Sequence, residues 1–144
     1  MYYFAYGSNM PRKRIENRVG AVADLGVGVL DKYKIKFNKQ STDGSGKTNI
    51  VPDGDSQVIG VVYELSKGQL DILDRIEIGY ERGNLPLEVN GELVCVEVYV
   101  ALPETINNEL LPTRKYLEYL IQGAKEHDFP SDYVEFLEEV NSRG

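Results

Sequence analysis

The sequence predicts an α+β fold, and three observations support this class. Segments with the alternation of a strand and segments with the apolar stripe of a helix both occur along the chain. They do not follow a strict strand–helix–strand rhythm, which argues against a doubly wound parallel sheet. No linker, repeat or low-complexity tract divides the 144 residues, so we expect a single domain over residues 1–144, long enough to bury a core.

Four segments predict strands: residues 2–6, 33–38, 58–65 and 93–101. In the second of these, Tyr33, Ile35 and Phe37 alternate with lysines, the period of two that a half-buried strand shows. Residues 22–30 are rich in glycine and predict a weaker strand with bulges. Residues 40–47 have the composition of a loop.

Four helices are predicted. A short one begins after Asn9, in a charged stretch. A second follows Ser66, which forms a capping box with Gln69 and precedes an apolar stripe. A third occupies residues 114–125 after Pro112-Thr113, and a fourth follows Pro130-Ser131. The residues of this last helix that we expect to face inward are Tyr133, Phe136, Leu137 and Val140.

Composition and charge exclude several classes of function. Sixteen basic and 23 acidic residues give a net charge of −7, whereas a nucleic-acid binder needs a basic face for the phosphates. No apolar run approaches the roughly 18 to 20 residues of a membrane span. The N-terminus lacks the pattern of a signal peptide, so we expect a cytoplasmic protein. We expect no nucleic-acid or membrane partner. We expect the protein to be a monomer or a homodimer.

A metal site is not expected either. Cys95 is the only cysteine and His127 the only histidine, too few for a zinc site of three or four N/S ligands. Cys95 lies in a predicted strand and is expected to be a small packed side chain. His127 lies at a polar helix end. We therefore expect neither metal nor cofactor.

The turn Tyr6-Gly7-Ser8-Asn9 is the most informative segment of the chain. It follows an apolar run and precedes a predicted helix, which Ser8 or Asn9 could cap. Glycine permits a sharp turn and a close approach of a ligand to the backbone. Backbone N–H groups at such a corner suit a carboxylate or a developing oxyanion. The same pattern is also typical of an ordinary strand–helix corner.

Glu77 is the candidate general base. It follows the apolar stripe of the second helix, and partial burial at the rim of a pocket would raise the pKa of its carboxyl towards a useful range. A solvated glutamate at a helix end is the alternative, and Glu64 and Glu81 compete for the same role. Tyr116 is a third candidate, as a substrate contact or as a half-buried tyrosine on an amphipathic helix.

Two further motifs fail on spacing. Gly46-Lys47-Thr48 is similar to the end of a phosphate-binding loop, but the position that requires the first glycine holds Ser41. Gly26 and Gly28 match the first two glycines of a dinucleotide fingerprint, but Asp31 occupies the third place.

In their order along the chain, these segments resemble the γ-glutamylcyclotransferase-like family, a group that includes γ-glutamylcyclotransferase, γ-glutamylamine cyclotransferase and AIG2-like proteins. The resemblance covers nearly the whole chain. The segments that carry it are residues 3–10 (Tyr-Phe-Ala-Tyr-Gly-Ser-Asn-Met), 60–65 (Gly-Val-Val-Tyr-Glu-Leu), Leu73-Asp74 with Glu77, 112–116, 123–126 (Gly-Ala-Lys-Glu) and 129–133 (Phe-Pro-Ser-Asp-Tyr).

The resemblance implies a small mixed β-barrel with flanking helices and a cavity at its mouth. By matched position it implies that Glu77 is the catalytic acid/base. It implies that Tyr6, Gly7, Ser8 and Asn9 hold the glutamyl group and that Tyr116 contacts the substrate. The implied reaction is intramolecular aminolysis, in which a γ-glutamyl compound releases 5-oxoproline and a free amine or amino acid.

This chemistry suits the residues present. Nucleophile and electrophile belong to one substrate, so the reaction needs neither a nucleophilic side chain nor a metal. An α-ammonium with a pKa of about 8 must lose a proton before it attacks, and one carboxylate can take that proton and return it to the leaving nitrogen.

The segment that follows Glu77 departs from the family pattern. Ile78 separates Glu77 from Gly79, and residues 77–89 form a shortened loop beside the expected pocket, so the leaving amine and the positions of Tyr80 and Arg82 stay open. A γ-glutamyl hydrolase or tailoring enzyme on the same scaffold is one alternative. A non-catalytic module that binds a small carboxylate or a partner protein is another.

Overall fold

Five strands close into a barrel, and helices flank it, which confirms the predicted α+β class. The computed structural model describes residues 1–144. The strands are β1 (Tyr2–Ala5), β2 (Ala23–Gln40), β3 (Gly46–Glu64), β4 (Tyr80–Val89) and β5 (Glu92–Ala101). The helices are α1 (Arg12–Val19), α2 (Lys67–Ile76), α3 (Arg114–Glu126) and α4 (Ser131–Glu139), with a short 3-10 turn at Pro103–Thr105.

The strand order around the barrel is β1-β3-β2-β4-β5. The neighbours are antiparallel except for β1 and β5, which close the barrel as a parallel pair at Tyr3 and Glu97. The long β2–β3 hairpin shifts register three times. Such bulges bend a strand, and this lets two long strands follow the curved wall.

The helices bury their apolar stripes against the barrel. α2 contributes Leu70 and Leu73, and α3 contributes Leu117 and Leu120, all with no exposed surface. Burying a leucine side chain contributes about 1.5–3 kcal/mol, so these contacts hold α2 and α3 against the strands. None of the helices is both long and apolar enough to cross a bilayer.

The predicted starts of α2 and α3 are confirmed. The Ser66 hydroxyl accepts a bond from the Gln69 N–H at 3.1 Å, and the Gln69 side chain accepts one from the Ser66 N–H at 2.9 Å. The Thr113 hydroxyl accepts a bond from the N–H of Tyr116 at 3.1 Å. The cap on α2 matters for the site, because Glu77 terminates this helix.

Three predictions about strands need correction. The two segments predicted at 22–30 and 33–38 form one continuous strand, β2, because bulges absorb the irregular residues between them. β3 begins at Gly46, so the loop predicted at 40–47 is shorter, and the strand starts well before residue 58. The loop predicted after Glu77 becomes a strand, β4, which pairs with β5 from Tyr80 to Val89.

Three predictions about side chains are also wrong. Ser8 and Asn9 do not cap α1: Pro11 occupies the cap position without a side-chain bond. Cys95 is exposed because it lies on the outer face of β5. The next residue, Val96, points inward and is buried. Phe136 is 42% exposed, whereas Leu137 fills the inward position of α4.

Candidate active site

The predicted turn and the predicted carboxylate line one cavity, where β1 ends and β4 begins. The cavity has a volume of about 520 Å³, including its opening to solvent. Aromatic side chains form much of its wall, and the tyrosines among them are Tyr3, Tyr6, Tyr80, Tyr99 and Tyr116. All six residues predicted for the site lie at this cavity: Tyr6, Gly7, Ser8, Asn9, Glu77 and Tyr116.

The loop after β1 presents unbonded amides to this space. The N–H groups of Gly7, Ser8 and Asn9 donate no hydrogen bond within the protein, while the carbonyl of Gly7 accepts a bond from the N–H of Met10 at 3.2 Å and closes the turn. These three residues line the cavity. Unpaired N–H groups at such a turn are suited to bind an anion or an oxyanion.

Asn9 connects this loop to the carboxylate. Its side chain is buried, and its Nδ2 donates to the hydroxyl of Tyr3 at 3.0 Å and to Oε1 of Glu77 at 3.1 Å. Its Oδ1 is also buried and has no hydrogen-bond partner. A buried acceptor without a partner is costly, and Asn9 is one of the residues that line the cavity.

Glu77 is held by its position at the end of α2. Its N–H bonds to the carbonyl of Leu73 at 2.8 Å, which keeps it on the last turn of the helix, and Gly79 then turns the chain with a φ of 86°. The carboxylate is only 18% exposed. Burial raises the pKa of Glu77, although Arg18, Lys47, Asn9 and Lys39 oppose that shift.

The competing carboxylates lie elsewhere. Glu64 and Glu81 are exposed, and neither lines the cavity. Arg18 lies 3.9 Å from Oε1 of Glu77, so the carboxylate has a cation beside it as well as an amide donor. A buried carboxylate with these neighbours can accept a proton from a bound amine and return it.

Tyr116 is anchored through Thr48. The Tyr116 hydroxyl lies 2.8 Å from the Thr48 hydroxyl and accepts the N–H of Thr48 at 3.2 Å. A Cβ on Gly7 would lie 2.4 Å from the Thr48 hydroxyl and 3.1 Å from the Tyr116 hydroxyl. Glycine at position 7 is therefore required for the loop to pack against this pair.

Several residues at the cavity were missed by the sequence reasoning. Arg18, Lys47 and Thr48 line it, and the hydroxyl of Tyr80 donates to the carbonyl of Thr48 at 2.7 Å. Lys47 and Thr48 had been singled out only as part of a phosphate-loop pattern that failed. No local pattern marks them as site residues, because the strand that begins at Gly46 was not itself predicted.

Arg82 belongs to a network behind the cavity. It pairs with Asp74 at 2.9 Å and with Glu97 at 2.7 Å, and Asp74 also accepts the hydroxyl of Tyr99 at 2.7 Å. The hydroxyl of Tyr6 in turn donates to the carbonyl of Tyr99. Arg82 therefore supports the wall on which Tyr6 and Tyr99 lie, without lining the cavity itself.

The cysteine and the histidine take no part in the site. Cys95 is exposed on β5, and His127 at the end of α3 bonds to Asp24 at 2.7 Å and to the carbonyl of Gly123 at 2.9 Å. No three His, Cys, Asp or Glu side chains converge on a point where they could hold a metal ion. The chemistry open to the cavity residues is proton transfer by Glu77 and oxyanion binding by amides.

Comparison with known proteins gives matches over most of the chain. The model of the AIG2-like family matches residues 57–137. Human γ-glutamylcyclotransferase is 32% identical over 155 residues, which cover 96% of this chain and 77% of the human protein. The bovine γ-glutamylcyclotransferase is 29% identical over 150 residues, with the same coverage. A solved structure of a γ-glutamyl cyclotransferase superposes with a TM-score of 0.90 at 26% identity, covering 99% of this chain and 89% of that one.

Proposed function

The chain belongs to the AIG2-like family, with the γ-glutamylcyclotransferases as its relatives, and we propose that it cyclises a small γ-glutamyl compound with Glu77 as general acid/base. It is a γ-glutamylcyclotransferase-like enzyme. The products of the proposed reaction are 5-oxoproline and a free amine or amino acid. One observation carries the role of Glu77: its buried carboxylate is held by Asn9 beside a loop whose amides are unbonded.

The first step is deprotonation of the substrate. The α-ammonium of the glutamyl group, with a pKa of about 8 in water, is not nucleophilic until it loses a proton. Glu77 takes that proton, and burial supports this role because it raises the pKa of the carboxyl.

The second step forms the ring. The free amine attacks the γ-carbonyl carbon of its own substrate, the new C–N bond forms, and negative charge collects on the carbonyl oxygen. The amides of Gly7, Ser8 and Asn9 are the donors proposed for that oxygen, and one well-placed donor contributes roughly 3 to 4 kcal/mol. Holding the substrate bent in this way can contribute several kcal/mol more, up to about 7 to 11 in ideal cases.

The third step releases the amine. Glu77 gives the proton that it took from the α-ammonium to the leaving nitrogen, the oxyanion collapses, and the bond from the carbonyl carbon to that nitrogen breaks. The ring nitrogen still carries a second proton, which the Glu77 carboxylate takes and passes to the released amine, so the amine leaves as an ammonium. The carboxylate is thereby regenerated, so no external base is consumed. Tyr6 and Tyr116 form part of the wall against which the bent substrate is held.

Product analysis of the purified protein tests the proposal. The panel contains γ-glutamyl amino acids, glutathione and γ-glutamyl amines, and mass spectrometry identifies the product. We expect 5-oxoproline together with an equal amount of the free amine. Release of glutamate would instead identify a hydrolase, and saturable binding without product at any pH would identify a binding module.

A further inference from the structure

Two lysines at or beside the cavity form no ion pair. Lys47 lines the cavity, and no carboxylate lies within 4.0 Å of the ammonium of Lys47 or of Lys39. Arg18 differs from both, because Glu77 lies 3.9 Å from it. Neither lysine has such a carboxylate partner within ion-pair distance.

The fold makes room for the ammonium of Lys39 beside the site. Lys39 is only 8% exposed, and its Nζ lies 5.0 Å from the centre of the Tyr80 ring, which lines the cavity. A Cβ on Gly79 would lie 2.7 Å from Cε and 2.9 Å from Nζ of Lys39. The glycine that turns the chain after Glu77 thus also admits this side chain.

An unpaired ammonium in such a place is unfavourable without a ligand. Burying a charge costs free energy unless an opposite charge or hydrogen bonds compensate for it. Burial and the neighbouring charge of Lys47 both lower the pKa of Lys39, while the charge of Glu77 opposes that shift. A bound anion would relieve both effects.

The charges of the substrate identify which part supplies that anion. In a γ-glutamyl compound, the α-carboxylate and the α-ammonium of the glutamyl half cancel. Glu77 offsets one of the three cations Arg18, Lys47 and Lys39 that act on it, which leaves two positive charges. Only the leaving half of the substrate remains to balance them, and two carboxylates on that half would match them.

We propose that Lys47 and Lys39 select for negative charge on the leaving group, so that the preferred substrates are γ-glutamyl conjugates of acidic amino acids. Lys47 contacts a carboxylate of the leaving half, and Lys39 adds charge from behind Tyr80. This inference rests on the proposed function and defines its substrate class.

The test compares three substrates that differ in the charge of the leaving group: γ-glutamyl-glutamate, γ-glutamyl-alanine and γ-glutamyl-ethylamide. We expect kcat/KM to fall roughly tenfold with the loss of each carboxylate, the effect of one charge-assisted hydrogen bond. The preference should shrink as salt is added, because salt screens partly exposed charges.

Variants assign the preference to the lysines. Lys47→Gln should reduce the differences in kcat/KM among the three substrates, because it slows the acidic substrate most. Lys39→Gln should have the same effect more weakly. Lys47→Glu should reverse the order of the three kcat/KM values. Lys34→Gln is the matched control, since Lys34 is exposed on the same strand as Lys39 and does not line the active-site cavity. It should leave the series unchanged.

Three results would overturn the inference while leaving the proposed function intact. One is equal kcat/KM for all three substrates in the wild-type protein. Another is a Lys47→Gln variant that slows all three by the same factor. The third is that none of the three yields 5-oxoproline while γ-glutamyl amines of other kinds do. If no γ-glutamyl compound yields 5-oxoproline, the proposed function fails and the inference with it.

Discussion

Replacing Glu77 by glutamine separates the chemical role of this side chain from its structural one. Glutamine keeps the size of glutamate and keeps an oxygen that can accept the Nδ2–H of Asn9, which lies 3.1 Å from Oε1. The lost ion pair with Arg18 is long, at 3.9 Å, and both side chains are partly exposed, at 25% and 18%. Pairs of this kind contribute only about 0–1 kcal/mol, so we expect the free energy of unfolding to change by less than about 1 kcal/mol.

The effect on catalysis should be much larger. A side chain that transfers protons contributes roughly 10²- to 10⁴-fold to the rate, or about 2.7 to 5.5 kcal/mol of the barrier. Glu77→Gln should therefore lose most of its 5-oxoproline release while still binding the γ-glutamyl substrate. The assay is release of 5-oxoproline by mass, with substrate affinity measured by calorimetry on the same preparation.

Glu81→Gln is the matched control, because Glu81 is exposed and does not line the cavity. It should retain wild-type turnover. If Glu77→Gln turned over substrate within about tenfold of the wild-type rate, below the range expected for a proton-transfer residue, Glu77 would have no part in proton transfer.

Four further predictions concern the same site and its support. Because burial raises the pKa of Glu77 in the free protein and the base must be ionised, kcat/KM should fall as the pH drops through a value above the ordinary range of glutamate; a fall only at ordinary glutamate pKa values would contradict this. Gly7→Ala places a Cβ 2.4 Å from the Thr48 hydroxyl, so it should destabilise the protein by about 1–3 kcal/mol in thermal unfolding and lower activity; unchanged stability and activity would refute the packing argument. Tyr116→Phe leaves the N–H of Thr48 without its bond and should reduce the free energy of unfolding by about 1–3 kcal/mol, which a denaturant titration measures. Ser66→Ala removes the cap of α2 and should cost about 0.5–2 kcal/mol in the same titration, and a neutral result would show that the cap is redundant.

Local chemistry explains which parts of the fold were predictable. The caps of α2 and α3 follow from Ser66 and Thr113, because each side chain bonds within its own first turn. β4 was missed because Gly83, Asn84 and Pro86 are disfavoured in strands. Pairing with β5 along its whole length overrides these preferences.

The residues of the site also differ in whether a local sequence pattern predicts them. The turn at Gly7 and the glutamate at 77 carry local patterns, and both lie at the cavity. Arg18 and Lys47 carry none that distinguishes them from surface cations, since only the closure of the barrel brings α1 and the start of β3 to the same wall. The exposure of Cys95 was likewise unpredictable, because a strand sequence does not state which of its faces is covered.

An oxygen-isotope experiment that identifies the nucleophile tests the central claim most directly. When the reaction is run in water enriched in heavy oxygen, attack by the substrate's own amine must give 5-oxoproline without label, in an amount equal to the released amine. Glutamate that carries one heavy oxygen in its γ-carboxylate would show that water is the nucleophile, and the assignment as a cyclising enzyme would then be wrong.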